Sequence, residues 1–305
     1  MSSSTREWRW RVWHDEDCAW LSALEARNKR LVARVSSAAS EPNRPSERAI
    51  PQIIHQIWLG PHKIPPRCVN WMNSWTQLHP DWEYRVWRDA DVTRLSLKNQ
   101  SAFDAATNFG AKSDILRYEI LEMVGGVYVD VDTQCVRPVD TLVKHFAFVV
   151  GISNTGCVEI NNGFIAATPH HPILTHLIDS IQQDFKRPRL NTATLSLIAQ
   201  MCGPGIGLPG QLLPPDSQSN PMETIERTGP GLLTRVFMQA IGWSTTERGF
   251  LSDDEQEDVV ALPETYLYPL PNTLSTISSD ELSVQLPSTA FTVHYWERSW
   301  LPSPS

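Results

Sequence analysis

Residues 111–133, AKSDILRYEILEMVGGVYVDVDT, set the narrowest limits on the fold of this chain. Ile115, Leu116, Ile120, Met123 and Val124 recur at helical spacing, which predicts a helix that starts at Ser113 or an earlier residue and stops at Gly125. VYVDVDT then reads as a buried strand that ends in two carboxylates, Asp130 and Asp132. Strand side chains alternate between faces, so acids two residues apart are expected to converge on one side. Adjacent anions repel unless positive charge lies between them. A hard divalent cation with oxygen ligands, able also to hold a phosphate, meets that need.

The same alternation of element types extends along the chain. IIHQIWLG predicts a strand stopped by Gly60 and Pro61, and DWEYRVW alternates Trp82, Tyr84 and Val86 with Glu83 and Arg85 as a second strand. FAFVVGI and NNGFIAA read as a strand pair, and HPILTHLIDSIQQDF as an amphipathic helix. Strands alternating with helices predict an α/β domain with a mainly parallel sheet, whose ligands bind beyond the carboxyl ends of the strands. Asp130 and Asp132 lie at such an end.

Residues 1–49 read as a helical extension and linker, with Leu21, Leu24, Leu31 and Val35 at helical spacing before SSAASEPNRPSERA, and residues 50–305 as the main domain. REWRWRVW, near the amino terminus, alternates tryptophan with arginine and fits either packing on the main domain or peripheral contact with a membrane surface. Residues 187–230, rich in Pro, Gly, Ser and Asn, read as a loop region at the mouth of a site.

A net charge of −8 argues against a nucleic-acid partner. An acidic chain that binds a phosphate-bearing substrate needs local cations. No apolar run reaches the length of a transmembrane helix and the amino terminus lacks a signal-peptide core. Five scattered cysteines without a C-x-x-C pair suggest neither a disulfide framework nor a zinc site. Together these features lead us to expect a cytoplasmic protein.

Asp114 and Arg117 share a face of the predicted helix and could hold a polyol between an acceptor and a donor, or form an ordinary surface ion pair. Trp58, at the end of the first strand, could stack on a nucleobase or belong to the core. In VHYWERSW, His294 offers a metal ligand and Ser299 and Trp300 offer donors to a phosphate, while an aromatic tail packed on the domain is the alternative.

Taken together these segments, with IPQIIHQIWLG, SWTQLHPDWEYRVWRD, NNGFIAATPHHP, TGPGLLTRVF and YLYPL, resemble the family-32 glycosyltransferases with the D-x-D sugar-binding motif. That group includes yeast-type outer-chain and sphingolipid mannosyltransferases and is related to clostridial glucosylating toxins. The resemblance covers about residues 50–301. It implies a GT-A type nucleotide-sugar-binding fold, a Rossmann-like mixed sheet flanked by helices, with Mn²⁺ or Mg²⁺ as cofactor. It also implies a nucleotide-diphosphate sugar donor, a hydroxyl acceptor and retention of anomeric configuration. Carried onto this sequence, Trp58 would stack on the base, Asp114 and Arg117 would hold the donor sugar, and Tyr128 would help bind the donor. Asp130 would contact ribose and sugar and border the metal, Asp132 would ligate it directly, and His294 would complete its shell. Asn161 or Asn162 would lie near the sugar, and Ser299 with Trp300 would bind the leaving diphosphate.

Two rivals belong to other classes. VYVDVDT also resembles the aspartyl-phosphate phosphatases of the haloacid dehalogenase type, which carry Thr or Val two residues after the second acid, where this chain has Gln134. A catalytically idle nucleotide-sugar-binding protein would keep the fold without the turnover.

Overall fold

The computed structural model describes residues 22, 24–33, 49–155, 158–186, 221–242, 249–272 and 286–297. A helix, α1, covers residues 24–33. The chain continues through β1 (Ile53–Ile57), α2 (Pro66–Leu78), β2 (Glu83–Trp87), α3 (Asp89–Val92), α4 (Gln100–Ala105), α5 (Phe109–Val124) and β3 (Gly126–Val129). Then follow β4 (Thr133–Cys135), α6 (Asp140–His145), β5 (Phe148–Ile152), β6 (Ile160–Ala167) and α7 (Pro172–Lys186). Helices Pro221–Arg227 and Pro230–Ala240 precede β7 (Val259–Leu262) and β8 (Thr292–His294).

Six strands form the main sheet in the order β2-β1-β3-β6-β5-β7, and β4 pairs with β8 in a small second sheet. The β1–β2, β1–β3 and β5–β7 pairs are parallel, whereas β6 is antiparallel to both β3 and β5. Five strands therefore run one way and β6 runs against them, a mixed and mostly parallel sheet as expected. Alternate residues feed opposite cores. Tyr128, Phe148, Val150 and Ile165 join α5 and α7 on one face. Val127, Val129, Val149 and Phe164 join Trp75 of α2 and Leu142 of α6 on the other. Both faces are covered, which is why β3, β5 and β7 read as continuous apolar runs, whereas the edge strand β2 alternates.

Helix α5 starts at Phe109, four residues before Ser113, because the Asn108 side chain accepts from the Ala111 N–H at 2.8 Å and caps the first turn. It ends at Gly125, and both Gly125 (φ +65°) and Gly126 (φ +106°) occupy backbone space that favours glycine. A Cβ on Gly126 would stand 2.6 Å from the Ile53 carbonyl oxygen and 2.8 Å from His55 Nε2, so the pair lets β3 start hard against β1. The helix is not amphipathic in the expected way. Every side chain from Asp114 to Glu122 is buried, including four charged ones, whereas Met123 of the expected apolar face is 36% exposed.

A second difference concerns the two aspartates. β3 ends at Val129, and Asp130 to Asp132 form a turn in which the Thr133 N–H donates to the Asp130 carbonyl at 3.1 Å. Strand alternation therefore does not align the two carboxylates. The turn redirects the chain into β4, whose partner β8 presents His294 opposite Thr133.

Candidate functional site

Because β1 and β3 are parallel neighbours, Trp58 and Asp130 emerge at the same edge of the sheet. β6 runs the other way, so its second and third residues, Asn161 and Asn162, lie at that edge too. A cleft of about 610 Å³ opens there, a size suited to a small-molecule ligand. Trp58, Asp114, Arg117, Tyr128, Asp130, Asp132, Asn161, Asn162 and His294 all line it. Ser299 and Trp300 lie outside the described residues.

One end of the cleft is a closed network around the buried pair Asp114 and Arg117. Arg117 Nη2 stands 3.0 Å from Asp114 Oδ1, and Nη1 stands 3.3 Å from Asp130 Oδ1. Nη1 also donates to the Asn162 carbonyl at 2.7 Å, and Nε to the Ser113 carbonyl at 3.3 Å. The guanidinium lies over the Tyr128 ring, 4.3 Å from its centroid. Asn162 Nδ2 donates to Asp114 Oδ1 at 2.8 Å, Thr228 Oγ1 to Asp114 Oδ2 at 3.0 Å, and the Tyr128 hydroxyl to Asp130 Oδ1 at 2.7 Å. Burial raises the Asp114 pKa to about 6 against the opposing pull of Arg117 and the two hydrogen bonds. For Asp130 the balance reverses: burial pushes its carboxyl up, but Arg117 and His294 together hold it below the usual carboxylate range.

The other end gathers Asp130, Asp132 and His294, whose ligand-type atoms all lie within 4.8 Å of one another. His294 Nε2 is 3.2 Å from Asp132 Oδ1 and 3.6 Å from Asp130 Oδ2. Both His294 ring nitrogens are buried, and neither has a hydrogen-bond partner of good geometry among the described residues. The Glu297 N–H donates to Asp132 Oδ2 at 2.9 Å and the Tyr295 N–H to its carbonyl at 3.0 Å, which fixes this acid on the β8 side. Burial disfavours a charged imidazole, but Asp132 and Asp130 outweigh it and raise the His294 pKa to about 10. Two carboxylate oxygens and the imidazole Nε2 that faces them form a donor set that fits a divalent cation.

Other residues at the cleft were not singled out from the sequence. Buried Glu159 accepts from Ser153 Oγ at 2.5 Å, and Asn161 Nδ2 donates to that same Oγ at 2.8 Å. Thr228 reaches Asp114 across 114 positions of sequence. Local periodicity carries no trace of either contact.

Residues 65–149 match the family described as glycosyltransferase sugar-binding region containing DXD motif. Inositol phosphoceramide mannosyltransferase 1 of Schizosaccharomyces pombe is 32% identical over 157 residues, covering 49% of this chain and 48% of that protein. Mannosyl phosphorylinositol ceramide synthase CSH1 of Saccharomyces cerevisiae is 32% identical over 138 residues, covering 44% of this chain and 35% of that protein. The chain thus spans at most about half the length of these relatives. The solved structure of the PaToxG glycosyltransferase is a distant likeness, with 17% identity, a TM-score of 0.46, and 74% of this chain and 80% of that one covered. The matches favour the transferase reading over the phosphatase one, and residues 65–149 are those of a DXD-containing glycosyltransferase sugar-binding region.

Proposed function

We propose that this protein is a metal-dependent glycosyltransferase that moves a hexose from a nucleotide-diphosphate sugar to a hydroxyl acceptor with retention of configuration. The observation that carries this reading is the junction of two kinds of site in one cleft: a carboxylate–histidine cluster suited to a cation beside a hydrogen-bonded acid–guanidinium pair suited to a sugar. The similarity to mannosyltransferases makes a mannosyl donor the first to try.

Asp130, Asp132 and His294 would hold Mn²⁺ or Mg²⁺. Bound there, the ion would supply positive charge to the diphosphate as it leaves. Asp114 accepts a hydroxyl of the donor sugar and fixes its orientation, while Arg117 keeps Asp114 and Asp130 ionised and aimed. Trp58, half-buried and anchored by its Nε1–H to the His62 carbonyl at 2.8 Å, offers a face for the base. Fixed donors and charges of this kind favour the separation of charge in the transition state without having to reorganise.

The test is a hydrolysis screen of GDP-mannose, UDP-glucose, UDP-galactose and UDP-N-acetylglucosamine with Mn²⁺, with Mg²⁺ and after chelation. We expect one donor to be turned over only with a divalent ion. Equal turnover by demonstrably metal-free protein would remove the metal from the reading, and no turnover of any donor would remove the transferase activity.

A further inference from the structure

In the segment TGPG, residues 228–231, Thr228 and Gly229 join helix Pro221–Arg227 to helix Pro230–Ala240, and none of the roles above uses it. It lies against α5 at the sugar end of the cleft. Thr228 Oγ1 is 3.0 Å from Asp114 Oδ2, and the Thr228 carbonyl accepts from the Tyr118 hydroxyl at 2.8 Å. One turn earlier, Thr224 Oγ1 accepts from Asn108 Nδ2 at 3.0 Å, the side chain that caps α5. Three bonds thus tie one short stretch to one helix, and the middle one ends on the carboxylate assigned to the sugar.

Asp114 has few open positions. Its Oδ1 already takes Asn162 Nδ2 at 2.8 Å and Arg117 Nη2 at 3.0 Å, which occupy both lone pairs. Among the described residues Oδ2 takes only Thr228, so one lone pair remains, and its direction is set by where the threonine hydroxyl stands. That hydroxyl has a single proton and two acceptors in reach, Asp114 Oδ2 and the Thr224 carbonyl at 3.1 Å. An ionised carboxylate is the stronger acceptor. The following glycine permits the approach: a Cβ on Gly229 would lie 3.0 Å from Ile225 Cα and 3.3 Å from Asp114 Oδ2.

We propose that TGPG is a latch on the donor-sugar carboxylate and that Thr228 is a positioning residue, directing the one open lone pair of Asp114 Oδ2 at a sugar hydroxyl. The assignment rests on the glycosyltransferase reading. It explains why a threonine followed by a glycine stands so far along the chain from the acid it serves.

The test compares Thr228→Val, Thr228→Ser and Gly229→Ala with the wild type, using the donor that the screen identifies and saturating Mn²⁺. Valine keeps the shape and removes the hydroxyl. We expect kcat for donor hydrolysis to fall roughly 10- to 100-fold in Thr228→Val, the scale on which supporting hydrogen bonds act. Affinity for the bare nucleoside diphosphate with Mn²⁺ should stay within about twofold, since that half of the ligand does not reach Asp114. Serine should restore most of kcat, and Gly229→Ala should show the same pattern more weakly. Wild-type kcat in a folded Thr228→Val overturns the latch alone. So does a loss that serine fails to restore, or one matched by an equal loss of nucleoside diphosphate affinity. A wild-type protein inactive on every donor overturns the transferase reading and the latch with it.

Discussion

The two ends of the cleft solve the problem of buried charge in opposite ways. At the sugar end, Asp114 and Arg117 are held by protein partners, which leave one lone pair of Asp114 Oδ2 for a ligand. At the other end, two carboxylates face an imidazole whose nitrogens have no well-formed hydrogen bond among the described residues. The first arrangement is complete in itself and so positions a ligand passively. The second balances its acids with a proton on His294, and a cation bound there takes the place of that proton. Neighbouring residues of one helix–strand unit can therefore serve stability at one end and chemistry at the other.

That contrast predicts which substitutions harm the fold and which harm turnover. The largest effect should come from Arg117→Ala, which leaves the buried Asp114 and the half-buried Asp130 without their shared cation. We expect a loss of about 3–5 kcal/mol in denaturant unfolding. A loss under about 1 kcal/mol would mean that the sugar-end network is not what stabilises this region.

Asp132→Asn should behave in the opposite manner. It removes a charge that repels Asp130 as well as one that pairs with His294, and it keeps an oxygen for the Glu297 N–H, so unfolding should move by no more than about 1–2 kcal/mol. Turnover should fall on the order of 100-fold or more, and the rise in Tm on adding Mn²⁺ should vanish. A variant that still gains Tm with Mn²⁺ would take Asp132 out of the metal shell.

The smallest effect is one of pH. Asp114 has a folded pKa of about 6, above its ordinary value, so its charge is lost as pH falls through 6. Turnover should drop by about tenfold per unit below that point. The linkage to stability has the other sign: a raised folded pKa means the native state binds this proton more tightly, so through this group acidification from pH 7 to 5 stabilises. Loss of activity without loss of Tm in that window, absent in an Asp114→Asn variant, checks both halves. A flat rate profile down to pH 5 would show that ionised Asp114 is not required.

How far the sequence foretold this depends on the range of the contacts involved. Strands β1, β2, β3, β5 and β6 and helix α7 follow from apolar pattern and glycine stops, since each is decided by neighbours a few residues away. Asp114 and Arg117, three apart on α5, were recognisable as a pair, but their burial was not. It comes from a helix packed on all sides, where charged residues survive because Glu119 accepts from the Lys98 and Asn99 N–H groups and Glu122 from Lys98 Nζ. The convergence of Asp130 and Asp132 was expected for the wrong reason, strand alternation instead of a turn. His294 was legible as a possible ligand from its chemistry, but its place beside the acids came through resemblance, because it is the β4–β8 pairing that brings it there. Thr228 and Glu159 left no local signal of their contacts at all.

Helix α1 has a consequence of its own. β7 is the last strand of the sheet, and its outer carbonyls are taken by side chains: Arg27 Nη1 donates to Val259 at 2.9 Å, and Asn28 Nδ2 donates to Ala261. Leu24 and Leu31 of the same helix are buried in the cores of the two opposite faces, so α1 straddles the rim. An uncovered apolar edge such as VVAL is a template on which a second chain can add its own strand. By occupying those carbonyls with side chains, which cannot propagate a ladder, α1 ends the sheet at six strands and makes this margin a poor seed for aggregation.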